Sequence, residues 1–129
     1  MLNKDTYTVR MQAFLLALYI AALTLILHTL GIEAKLYWEY WWFDIVTHAL
    51  GGLLIGLFAA LLLERQRLPI IYTVLIIIII GWEVFEILFA GVNPNTPGYE
   101  FDTVLDMIIG FGMAYGAVWW YRCARDCST

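Results

Sequence analysis

The sequence predicts an all-α membrane protein, with four transmembrane helices in an antiparallel bundle and both termini cytoplasmic. Three observations carry that expectation. Four apolar stretches, each near the ~20 residues that a helix needs to cross a bilayer core, are separated by short polar breaks. Hydrophobic residues make up 63% of the chain and charged residues 14%, with a mean hydropathy of +0.79, against roughly 45–50% and 25% in soluble domains. The basic residues Lys4, Arg10, Arg65, Arg67, Arg122 and Arg125 all fall on one side of such a bundle and only Lys35 on the other, which puts the first side in the cytoplasm.

The 129 residues leave room for one transmembrane domain, 1–129, and no separate soluble one. A net charge of −4 provides no basic face for nucleic acid. The helices are expected at about residues 8–30, 44–63, 69–90 and 102–121. The first is too long for a signal peptide and no small-residue cleavage site follows it, so it is expected to be retained. GIEAKLYWEYWWF joins it to the second, and Tyr37, Trp38, Tyr40, Trp41 and Trp42 in that break read as an outer aromatic belt. The break ERQRL, ending at Pro69, is short enough to make helices two and three an antiparallel hairpin. GVNPNTPGYEF carries Gly91, Pro94, Pro97 and Gly98, strong loop punctuation before the last helix, which ends in the interfacial Trp119, Trp120 and Tyr121. Cys123 and Cys127 lie at the cytoplasmic end, where thiols stay reduced, and two cysteines do not make a four-ligand zinc site.

Depth makes the ionisable residues informative. Asp44 opens helix two from outside and His48 lies about 6 Å further in; Asp106 lies equally far below Asp102 on helix four. Helix three runs outward, so Glu86 and Glu83 sit about 6 and 10 Å below its outer end. Each pair, Asp44/His48, Glu83/Glu86 and Asp102/Asp106, has i, i+3 or i, i+4 spacing and so shares one helical face. Small residues continue two of these faces inward, Gly52, Gly56 and Ala60 below His48, and Gly110 and Ala114 below Asp106, which lets the helices approach closely. Helix one carries Ala17, Ala21, Thr24 and His28 at comparable steps.

Five carboxylates in one layer repel strongly, at about 4 kcal/mol per contact at 4 Å and an effective dielectric of 20. Either several are protonated or divalent cations sit among them. Intramembrane ionisables are functional by default, so a metal or catalytic site stands ahead of a hydrogen-bond network or an ion pathway. The expected metal ligands are Asp44, His48, Glu86 and Asp106, with Glu83 or Asp102 as catalytic base and His28 behind the ligands. Zinc, manganese and iron suit oxygen donors with an imidazole, and magnesium fits if the histidine stays outside the coordination sphere. Asp44 and Asp102 also qualify as helix N-caps, a role that leaves His48, Asp106, Glu83 and Glu86 unexplained.

The order Phe43-Asp44-x3-His48 with Gly51 and Gly52, then Trp82-Glu83-x2-Glu86, then Thr96-x-Gly98-x2-Phe101-Asp102-Thr103-x2-Asp106-Met107-x2-Gly110, resembles the YjdF-like family of small bacterial and archaeal membrane proteins. More distantly it is similar to VanZ-like proteins, which are associated with glycopeptide antibiotic resistance. The resemblance spans about residues 40–116 and supports the polar cluster without naming a reaction. It implies a prokaryotic plasma membrane location. The function expected from the residues is a metal-dependent hydrolase or transferase acting on a membrane lipid or lipid-linked substrate. An oxidative di-metal centre ranks lower, because the Glu-x-x-His pairs of that class are missing. The alternatives are an accessory subunit joined to other membrane chains or to further copies of itself, and cation or proton transport.

Overall fold

The computed structural model describes residues 4–89, 95 and 97–127, and it contains five helices among them: α1 (Lys4–Glu33), α2 (Leu36–Glu39), α3 (Trp41–Leu62), α4 (Leu68–Phe89) and α5 (Tyr99–Asp126). Four segments are long and apolar enough to cross a membrane: Tyr7–Glu33, Trp41–Leu62, Leu68–Phe89 and Tyr99–Asp126. The expected helix end at Ala90 and the loop residues Gly91 and Pro94 lie outside the described residues. α1 and α4 run in one direction and α3 and α5 in the other.

The main seam of the bundle is between α3 and α5, with α1 against α3 next. The seam forms because its residues are small. A Cβ added at Gly52 would fall on the Gly110 backbone, and one at Gly56 on the backbone of Ala114. Gly52, Gly56, Ala60, Gly110 and Ala114 are all buried, as the four-residue stripe predicts. In lipid, where no hydrophobic force drives helices together, this approach of two backbones supplies the packing contact. Leu57, Ala114 and Val118 are fully buried below it, and Ala13 and Ala17 of α1 close the third side. α4 contributes Ile71, Leu75 and Ile79 at four-residue steps. Thr24 donates back to the Ile20 carbonyl and Thr73 to that of Pro69, so these two hydroxyls are satisfied within their own helices.

The helix ends differ from expectation in two places. α5 starts from Gly98, whose φ of 89° only glycine adopts without strain, and α3 starts from Tyr40. Asp102 and Asp44 are therefore first-turn residues and not N-caps, although both still meet the positive end of a helix dipole. The second difference is α2. Lys35 adopts a left-handed conformation, φ 58°, which ends α1 and redirects the chain into a single helical turn. That turn brings Tyr37 inward, edge-on to Phe43 at 4.9 Å, over a hollow at Gly31 where a Cβ would strike both rings. Tyr37 thus leaves the expected aromatic belt, while Trp38, Tyr40, Trp41 and Trp42 stay exposed.

Candidate metal centre

His48 is the centre of the polar layer. One helical turn above it is Asp44, on the same face of α3; the close seam at Gly52 and Gly110 brings Asp106 of α5 opposite, and Glu83 and Glu86 arrive from α4. Nε2 of His48 lies 3.5 Å from Asp44 Oδ1, 3.9 Å from Asp106 Oδ2 and 4.0 Å from Glu86 Oε1, while Nδ1 lies 3.8 Å from Glu83 Oε1. None of these is a normal hydrogen bond, which would bring nitrogen and oxygen to about 2.9 Å. The separations match those of two atoms bound to one metal: bonds of about 2.0–2.2 Å in a tetrahedral sphere place ligand atoms about 3.4 Å apart.

Two sets of donors lie within 4.8 Å of one another, Asp44 with His48 and Asp106, and His48 with Glu83 and Glu86. The three carboxylates expected as ligands, Asp44, Glu86 and Asp106, therefore lie around the imidazole of the fourth, His48, with Glu86 in the second set. Glu83 and Asp106 are buried, their side chains only 7% and 5% exposed, and Glu83 Oε1 and Asp106 Oδ1 have no hydrogen-bond partner. Leaving a buried acceptor unsatisfied costs about 1–3 kcal/mol, and more when it is charged. Glu86 has a partner: Trp82 Nε1 donates to its Oε1 at 2.8 Å along the same helix. Thr47 donates to the Asp44 carbonyl at 2.8 Å and lies 3.5 Å from its carboxylate.

Asp102 is exposed one turn above Asp106 and belongs to neither set. His28 is also exposed and outside both; its Nδ1 is 2.8 Å from the Tyr37 hydroxyl. Tyr37 is the polar group near the site that sequence reasoning missed. Burial pushes its hydroxyl above the ordinary pKa, with Thr47 opposing and the charges of Asp44 and Glu86 adding. The hydroxyl keeps its proton at neutral pH and caps the rim of the acidic layer together with His28. Gly31 is the signal in the sequence that such a ring needs room there, but it carries meaning only once α2 is seen.

The family model described as "Predicted membrane protein (DUF2238)" matches residues 2–126, nearly the whole chain. The chain belongs to this family. The matched range takes in every residue of the polar layer, from His28 to Asp106. Comparison with curated proteins and with solved structures gave no match.

Proposed function

We propose that the protein binds a divalent cation between Asp44, His48 and Asp106 and uses it to activate water, or a substrate hydroxyl, for hydrolysis or group transfer on a lipid or lipid-linked substrate. One observation carries the binding: carboxylate oxygens ring both nitrogens of His48 at 3.5–4.0 Å without hydrogen-bonding to it, and two of these carboxylates keep a buried oxygen unpartnered. Zinc, manganese, iron and magnesium all fit an oxygen-rich set with at most one imidazole. A bound cation of this kind neutralises clustered carboxylates and lowers the pKa of a coordinated water.

In this reading Asp44, His48 Nε2 and Asp106 are the ligands, and Glu86, steered by Trp82, closes the fourth side. Glu83 Oε1 faces Nδ1 at 3.8 Å, and drawing in to accept the ring N–H once the cation is bound would fix the tautomer that leaves Nε2 free for the metal. Asp102, open at the rim, is the proton acceptor closest to incoming substrate. The basic ends of the helices support an orientation with both termini inside, which would put the site in the outer leaflet, and the motif resemblance supports a prokaryotic plasma membrane. The motif resemblance to YjdF-like and VanZ-like proteins supports the same acidic helix starts. Transport of a cation or proton through the bundle is opposed by the fully buried Leu57, Ala114 and Val118 beneath the site.

Elemental analysis of detergent-purified protein tests the binding. About one equivalent of metal is expected, lost in His48→Ala and Asp106→Asn and kept in His28→Gln. Trace metal that is indifferent to these substitutions overturns the proposal. Catalysis is tested separately by comparing lipid extracts exposed to wild-type and His48→Ala protein by mass spectrometry; the lack of a His48-dependent product would reduce the cation to a structural one. Fixed partner chains that co-purify would then indicate an accessory subunit.

A further inference from the structure

The opposite end of the bundle is built around a second carboxylate, and there every bond is made. Arg10 Nη1 of α1 pairs with Glu64 Oε1 at 3.2 Å, and the buried Tyr121 hydroxyl donates to Oε2 at 3.0 Å. Arg125 Nη1 donates to the Glu64 carbonyl at 3.4 Å and Arg122 Nη2 to that of Gln66 at 2.7 Å, so α5 clamps the turn that leaves α3. Glu64 is engaged through both oxygens and Arg125 also pairs with Asp126 at 3.3 Å, while the exposed Arg65 and Arg67 stand beside them on the turn after α3. Arg65 and Arg67 make no side-chain hydrogen bond or ion pair with another described residue. Between Arg10 and Arg65 lies a cavity of about 330 Å³, walled by Leu61, Leu62 and Leu63 and by Glu64. Leu62 is 78% exposed, on the face a membrane would cover.

We propose that this cavity is a binding site for the phosphate of an anionic phospholipid, with Arg65 and Arg10 on the headgroup, the exposed Arg67 just outside the cavity adding to the positive potential that holds it, and Leu62 against the start of the acyl chains. The ligand class follows from the pairing. Glu64 has used both oxygens, so the charge left over is positive, and it stands beside leucines at the level where a lipid joins its phosphate to its chains. A phosphate accepts from guanidinium groups in a geometry that Arg matches. The site is independent of the acidic layer at the other end and of any metal there.

Native mass spectrometry of the full chain in detergent tests this with phosphatidylglycerol, phosphatidylcholine of identical chains, and inorganic phosphate as separate probes. Phosphatidylglycerol is expected to be retained in clear preference to phosphatidylcholine. Arg65→Gln and Arg67→Gln should each weaken that preference about fivefold, in line with the contribution of one basic residue near an anionic lipid surface. Both residues are exposed and outside the Glu64 clamp, so the fold should persist, and Lys35→Gln at the far end should leave the preference intact. Equal retention of the two lipids, or a preference that survives the double Arg65→Gln/Arg67→Gln variant, overturns the proposal. Displacement of the lipid by inorganic phosphate at similar concentration overturns it too, by assigning the cavity to the free anion.

Discussion

At one end of the bundle Glu64, with a side chain 16% exposed, accepts from Arg10 and Tyr121 through both carboxylate oxygens. At the other, Glu83 and Asp106 are buried more deeply and each leaves an oxygen with no partner. Both layers join helices that are distant in sequence, and both place carboxylates beneath interfacial aromatics. The difference is that arginine and tyrosine reach the first layer, whereas the second gathers acids around a single imidazole. A membrane bundle that satisfies one partly buried carboxylate through both oxygens has the means to satisfy others, so the unsatisfied layer reads as a place completed by a ligand. The satisfied layer reads as the clasp that holds the helices while the other stays poised.

The largest effect expected on this contrast comes from the seam joining the two layers. In Gly52→Ala the new methyl has only the Gly110 backbone to push against, so α3 and α5 must separate, at about 3 kcal/mol of stability. Gly52 lies one turn below His48, so metal binding should fall with the thermal midpoint. Retention of both would show that the seam does not set the geometry of the acidic layer. Next is the metal itself: at a free concentration of 100 times Kd it should raise stability by about 2.7 kcal/mol, reversibly on chelation. Glu64→Gln should keep that increment on a lower baseline and Asp106→Asn should lose it.

The sharpest comparison is a difference in sign, measured by thermal unfolding of metal-free protein. Glu64→Gln weakens two charge-assisted bonds and should destabilise by about 2 kcal/mol. Asp106→Asn removes a buried carboxylate whose charge is uncompensated and should be neutral or stabilising. Equal losses in the two variants would mean that the acidic layer is already satisfied, and would remove the reason to place a ligand there.

Much of this contrast was legible from spacing alone. A period of about 3.6 residues puts His48 with Asp44, and Asp106 with Gly110, on faces that have to look inward, and three helices reach one layer because a span has little freedom in where its residues sit. What was not legible depended on contacts between segments. Nothing local shows that Lys35 takes a left-handed conformation, since it follows from packing Tyr37 and Phe43 together above Gly31. The helix starts at Tyr40 and Gly98 were missed for a related reason: Asp44 and Asp102 are good capping residues, but aromatic packing and a left-handed glycine begin each helix a turn earlier. The Glu64 clamp joins residues 54 and 57 positions apart, a pairing that no periodicity reports.

The smallest expected effect tests where the acidic layer stops. Tyr37 and His28 bond to each other at 2.8 Å, and neither belongs to a donor set around His48. Because the phenol stays protonated, it donates to Nδ1 when the ring carries its proton on Nε2. Tyr37→Phe keeps the ring over Gly31 and removes only that bond, so stability should fall by about 1 kcal/mol or less. Metal affinity should change by less than tenfold, the lower end of what a residue supporting a ligand contributes. Isothermal titration of wild-type and Tyr37→Phe protein with the same cation measures this directly. A loss of a hundredfold would mean that the phenol acts on the ligands across Thr47 and Asp44, and the boundary of the site would then enclose α2 as well as the three long helices that meet at His48.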